Sequence, residues 1–338
     1  LNMLDADSYQ DYGFTLINFA EKISLSPFPF SSSLGGTIKQ LEQRILNIAT
    51  YKKPSSFRRI RSITLFAVTA IMFIGITPLL TSYAAADNKY HWDTSGQDIS
   101  TLDLSGYFGQ YDGSFVLYNL NSDHWGLYNM DMATTRTAPD STYKIYDALF
   151  ALEEDIITPE DSLISWNYED YPFEIWEQDQ TLQTAMSGSV NWYFETLDNQ
   201  IGKDVLQSYI QKIGYGNENL GSNLSSYWME STLKISPVEQ VELLNAFYQN
   251  TFGFAPENIQ TVKNSIQLFS SAHGTLYGKT GTGRIDGQDV SGWFIGFVET
   301  PENTYFFATN IQSENKATGS TAAEITLSIL SDLNLWRQ

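Results

Sequence analysis

The 338-residue sequence contains no cysteine and only three histidines. Without thiols there is no disulfide framework, no thiolate nucleophile and no cysteine-bound metal. His91, His124 and His273 stand far apart and none falls in an H-E-x-x-H pattern, so a protease centre of that type is absent too; each is read as a surface or loop histidine. Positive charge is scarce: 19 Lys and Arg face 39 Asp and Glu, for a net charge of −20. The deficit is uneven, because residues 1–86 carry 8 basic and 5 acidic groups (+3) and residues 87–338 carry 11 and 34 (−23). So acidic a C-terminal part repels phosphates, which argues against direct nucleic-acid binding.

Apolar material, by contrast, is plentiful. Hydrophobic residues make up 42% of the chain and aromatics 14%, enough for a sizeable core at this length. The uncharged run SITLFAVTAIMFIGITPLLTSYAAA, residues 62–86, exceeds the about 20 apolar residues that a membrane-spanning helix needs. Lys52, Lys53, Arg58, Arg59 and Arg61 precede it and Asp87 follows, which places the N-terminal side in the cytoplasm and residues 87–338 outside. A signal peptide cleaved near TSYAAAD competes with this, but the run is longer than an h-region and lies deep in the chain. An uncleaved anchor is therefore expected. Before it, apolar positions at Phe14, Ile17 and Ala20, then Ile38, Leu41, Ile45 and Ile48, suggest two amphipathic cytoplasmic helices, and the opening Leu1 suggests that an upstream portion is missing.

Beyond the anchor, GSFVLYNL, NSDH and WGLYN read as a β-hairpin. A helical middle follows, in which VNWYFETLDNQIG and KDVLQSYIQKIG each end at a glycine suited to a C-cap. Strands return with GTLYGKTGTG, SGWFIGFVET and TYFFATNI, and the helix-like STAAEITLSILSDLNLW closes the chain. Strands at both ends around helices predict an α+β fold with a mainly antiparallel sheet.

Three short boxes carry chemistry. In Ser141-Thr142-Tyr143-Lys144 a helix start would make Ser141 and Lys144 neighbours on one face, where a desolvated lysine can take the serine's proton. Alone this means little, since Ser231…Lys234 and Ser313…Lys316 share the spacing. Ser189-Val190-Asn191, in an expected turn between helices, is by itself better explained as a helix cap. Lys279-Thr280-Gly281-Thr282-Gly283, on a strand ending in glycines, offers a cation, hydroxyls and close backbone approach for a substrate carboxylate, though a plain glycine-rich hairpin would look the same. Their order is the stronger signal: 48 residues separate Ser141 from Ser189, and 90 more reach Lys279, as in active-serine penicillin-recognising proteins.

From about residue 106 onward the chain resembles class D β-lactamases, and more closely the extracellular sensor domains of the BlaR/MecR β-lactam receptor family. Besides the boxes, YGNENLGS and WMESTLKISPVEQVE, within 215–242, carry the resemblance. The N-terminal piece is similar to the tail of those receptors' integral-membrane zinc-protease half. The organisation expected is thus 1–56, an incomplete cytoplasmic tail; 57–86, a transmembrane helix; 87–105, an extracellular linker; and 106–338, a serine β-lactamase/penicillin-binding-protein-like sensor domain.

The resemblance further implies that Ser141 is the acylated nucleophile and Lys144 its base, N-carboxylated when active and contacted by Trp228. Ser189 would relay protons. Lys279, Thr280 and Gly281 would bind the antibiotic's carboxylate, and the amides of Ser141 and Thr282 would form the oxyanion hole. No metal or other cofactor is expected. Asn191 departs from the hydrophobic residue that the hydrolases keep there, and an amide beside the lysine disfavours its carboxylation. The expectation is a membrane receptor with little or no turnover, served by a cytoplasmic zinc-protease half and, indirectly, a transcriptional repressor. A tethered or secreted class D β-lactamase is the alternative.

Overall fold

Strands with apolar side chains on both faces make the frame on which the site is built. In the computed structural model the described residues are 88–337. Strands β1 (Asp98–Thr101), β2 (Asp112–Asn119), β3 (His124–Tyr128), β4 (Gln267–Ser271), β5 (Gly274–Ile285), β6 (Gln288–Glu299) and β7 (Thr304–Gln312) form a seven-stranded sheet ordered β1-β3-β2-β7-β6-β5-β4. Only the β1–β3 pair is parallel. Alternate residues of β6 enter different cores: Trp293, Ile295 and Phe297 the larger, Phe294 and Val298 the smaller.

Besides the one-turn helices Ser105–Phe108 and Met130–Ala133, the helices among the described residues are α1 (Lys144–Glu153), α2 (Leu182–Gly188), α3 (Asn191–Ile201), α4 (Lys203–Ile213), α5 (Pro237–Tyr248), α6 (Pro256–Ser265) and α7 (Gly319–Asp332). Several boundaries have a local cause. Gly202 and Gly214, at φ 84° and 66°, end α3 and α4 as expected, and Ser236 with Glu239 forms a capping box at α5 ahead of Pro237. Helix α7 covers the smaller core through Ala322, Ile325 and Ile329, while α1 lies inside the larger one, buried from Lys144 to Leu152.

Several expectations need correction. The sheet reaches back to Asp98, inside the segment read as linker, because β1 pairs with β3. Before it, the Tyr90 amide donates to the Thr134 carbonyl at 2.8 Å and the Arg136 amide to the Asn88 carbonyl at 2.7 Å. The KTGTG box is not a strand end: β5 continues to Ile285. Ser141 sits in a 3-10 turn, Asp140–Tyr143, ahead of α1. His124 belongs to β3, where its imidazole Nδ1 lies 2.8 Å from Asp98. The cytoplasmic helices and the span at 57–86 lie outside the described residues, among which no helix is long and apolar enough to cross a membrane.

Candidate active site

The nucleophile turn is held from three directions. The Trp293 indole donates to the Ala138 carbonyl at 2.8 Å, the Asp140 amide to the Trp228 carbonyl at 2.9 Å, and the Thr142 hydroxyl to the Pro139 carbonyl at 2.6 Å. Asp140 itself has φ 48°, a left-handed conformation that a non-glycine residue keeps only when its surroundings enforce it. Ser141 is thereby fixed one turn ahead of Lys144. The lysine is fully buried, its Nζ 2.7 Å from Ser141 Oγ, 2.6 Å from Asn191 Oδ1 and 4.5 Å over the Trp228 ring. Burial first, and the charge of Lys279 second, hold its pKa well below the usual ammonium range, with Asp147, Asp140 and Glu195 opposing. A neutral amine within reach of a serine hydroxyl is a general base.

Neither Ser189 nor Asn191 caps the start of α3 with its side chain. Ser189 ends α2 in the left-handed region (φ 52°), and the residue before α3 is Val190, which makes no side-chain capping bond. Both polar side chains turn to lysines instead: Ser189 Oγ accepts from Lys279 Nζ at 2.9 Å and lies 3.5 Å from Lys144 Nζ. Asn191 points Oδ1 at Lys144 and donates its amide N–H to Met229 Sδ at 3.2 Å. Lys279 is buried, which pulls its pKa to about 7.

Strand β5 passes close to the nucleophile. A Cβ on Gly281 would come 3.1 Å from the Pro139 carbonyl and 3.3 Å from the Ser141 amide, so glycine permits this approach. Thr280 and Thr282 border a cleft of about 630 Å³ together with Ser141, Ser189 and Asn191, and Phe173, Ile175, Trp176 and Met229 give it an apolar wall. The volume suits a drug-sized molecule. Ser141, Lys144, Ser189, Asn191, Trp228 and Lys279 through Thr282 are therefore brought together, whereas Ser231, Lys234, Ser313 and Lys316 are loop residues off any helix.

Four carboxyl groups in or behind the site escaped sequence reasoning. Asp140 and Glu230 stand together at the cleft, each with a pKa raised by burial. Asp147 and Asp198 lie deeper; their sequence signal was positional, since Asp147 follows Lys144 by three residues and Asp198 follows Asn191 by seven. The apolar wall comes from an irregular segment with no period to read. Among the described residues no group of three or more His, Cys, Asp or Glu could hold a metal.

N-carboxylation of Lys144 would place one negative charge, shared by two oxygens, at a position that needs donors. The groups facing Nζ are the oxygens of Ser141, Ser189 and Asn191, and the Trp228 indole N–H is committed to Asp198 Oδ2 at 3.2 Å. The two serine hydroxyls can donate as well as accept, whereas Asn191 Oδ1 can only accept, so of these groups it is the asparagine that suits an amine better than a carbamate.

Comparison with known proteins agrees with this geometry. Residues 108–331 match the penicillin binding protein transpeptidase domain. The Regulatory protein BlaR1 of Bacillus licheniformis is 41% identical over 333 residues, covering 98% of this chain and 55% of that protein; the chain spans about half the length of the curated relatives it matches first. Among solved structures, the C-terminal domain of the Bacillus licheniformis BlaR penicillin-receptor superposes with a TM-score of 0.69 at 48% identity, over 72% of this chain and 99% of that one. The class D β-lactamase BAT-2 gives a TM-score of 0.66 at 33% identity, over 73% and 100%. With the serine, its lysine and the KTG strand in place, the chain belongs to the penicillin-binding-protein transpeptidase family, on its BlaR/MecR branch.

Proposed function

We propose that the chain is the sensing portion of a membrane-bound β-lactam receptor, in which a penicillin or cephalosporin acylates Ser141 and the acyl-enzyme persists. Lys144 Nζ, 2.7 Å from Ser141 Oγ, takes the hydroxyl proton as Oγ attacks the lactam carbonyl. The carbonyl oxygen develops negative charge between the amides of Ser141 and Thr282. Ser189, bridging Lys144 and Lys279, hands its proton to the departing lactam nitrogen and is reprotonated by the one that Lys144 took from Ser141. Lys279 and the Thr280 and Thr282 hydroxyls take the antibiotic's carboxylate.

One contact carries the receptor reading over the hydrolase reading: the Asn191 amide oxygen, 2.6 Å from Lys144 Nζ, occupies the place of a dry apolar wall. An amide acceptor favours the free amine over its N-carboxylated form, which leaves no carboxylated base to activate a deacylating water. Magnitudes bound this effect. Deacylation at ~10⁻⁴ s⁻¹ implies a barrier near 23 kcal/mol, and turnover at ~10 s⁻¹ one near 16, a gap of about 7. Loss of a general base accounts for about 3–5 kcal/mol of it, so exclusion or misplacement of water supplies the remainder.

The anchor at 57–86 would keep residues 87–338 outside the cell. The signal would pass to a cytoplasmic zinc-protease half and through it to a transcriptional repressor, ending in expression of resistance. Mixing the full chain with a chromogenic cephalosporin tests the central point. One equivalent of product followed by near silence is expected, with the adduct on Ser141 by mass spectrometry; sustained turnover would make the chain a class D β-lactamase instead.

A further inference from the structure

Behind the lysine lies a second pair of acidic groups that acylation itself does not use. Asp147, on α1, has no exposed surface, and neither of its carboxyl oxygens receives a donor from another residue. The group it meets is the carboxyl of Asp198 on α3, also fully buried. Asp198 is well supplied: Tyr227 Oη donates to Oδ1 at 2.7 Å and the Trp228 indole to Oδ2 at 3.2 Å. Two ionised carboxylates in contact, with no cation between them, would be strongly unfavourable in such a place. A single proton shared by the pair removes the repulsion and gives Asp147 its hydrogen bond, leaving one negative charge.

That charge has a defined neighbour. Trp228, fixed by Asp198, presents its ring 4.5 Å from Lys144 Nζ, and Asp147 follows the lysine by one turn of α1. We propose that Asp147 and Asp198 are positioning residues: a one-proton acid pair that holds Trp228 against Lys144 and supplies the buried negative charge facing the base. The remaining charged or titratable groups around Lys144 and the pair are Lys279, Asp140 and Glu195, with Tyr143, Tyr193 and Tyr227. Of these, Lys279 opposes protonation of Lys144, while Asp140 and Glu195 assist it. Burial raises the carboxyl of Asp147, and that of Asp198 to about 7, in keeping with a retained proton. This inference rests on the acylation reading, because its kinetic readout is the adduct on Ser141.

The test compares full-chain wild type with Asp147→Asn and with Asp147→Asn/Asp198→Asn. An asparagine at 147 donates to Asp198 as the protonated acid does and keeps the net charge, so the single variant is expected to fold and to match the wild-type pH profile of acylation within about twofold. The double variant loses the charge. Its acid limb is expected to move down by about one pH unit, making acylation below that limb about tenfold faster than wild type. A purely structural role would lower the rate without moving the limb. In infrared difference spectra of wild type against Asp147→Asn near neutral pH, a carboxylic-acid carbonyl band is expected in wild type only.

An unshifted limb in the double variant, an unfolded single variant, or absence of the infrared band would each overturn the proposal. Should the double variant fail to fold, the infrared band and the single variant still decide. Failure of wild type to form any adduct would sink the acylation reading instead, and the infrared band would then judge the pair alone.

Discussion

At the scale of single residues, the proposed function turns on Asn191 and the two lysines. Replacing the amide with an apolar side chain removes the acceptor 2.6 Å from Lys144 and leaves the amine drier. Asn191→Val is expected to speed release of the acyl group by about 10–100-fold, short of the full value of a general base, with acylation little changed; burst and steady-state phases measured with one chromogenic cephalosporin check both numbers. The lysines also set a pH dependence. Lys144 acts only when neutral, so the acylation rate constant at low antibiotic rises as pH climbs through its depressed pKa. Lys279 binds an anion only when charged, so the rate falls again as pH passes about 7. A bell-shaped stopped-flow profile with its descending limb near neutrality is the expected outcome. Residues of this kind were legible in the sequence through spacing, because Ser141, Ser189 and Lys279 keep the order of a known constellation. Asp147 and Asp198 were not, since a lone acid inside an apolar helix has no sequence signature of its partner.

Elements were read more fully than residues. The hairpin of β2 and β3, the run β5 to β7 and the helices closed by Gly202 and Gly214 all follow from period and punctuation. What failed was context. The parallel edge strand β1 depends on a partner 26 residues away in register, and local pattern does not contain that partner. The course of β5 past its glycines likewise depends on β6, which pairs with it through Ile285. Gly296 on β6 makes that pairing testable. A Cβ there would fall 2.0 Å from the Tyr277 carbonyl, a backbone atom that cannot step aside. Gly296→Ala is expected to lower stability by more than about 2 kcal/mol, read as an earlier urea midpoint; a midpoint within error of wild type would show that the sheet yields at this point.

For the whole molecule, charge is the dominant property. Residues 87–338 carry 34 acidic and 11 basic groups, yet the ligand proposed for the cleft is an anion held by buried Lys279. Local attraction must then work against long-range repulsion. Added salt screens the long-range part more than the buried part, so acylation of a monoanionic penicillin is expected to quicken by about two- to fivefold between low and physiological ionic strength. A rate that falls with salt would mean that Lys279 dominates at a distance as well.

The segment 134–140 gives the molecule a further property. It carries Ser141 at its end, it is tied to the Trp228 carbonyl at Asp140 and to Ile235 at Thr137, and its Arg136 amide holds the Asn88 carbonyl. Counted in links, the nucleophile stands five residues and one hydrogen bond from Asn88. The serine's backbone thus has a short route to Asn88 through covalent links and one hydrogen bond. The nucleophile and Asn88 are therefore near neighbours through bonds, although nearly fifty positions separate Asn88 from Arg136 in sequence.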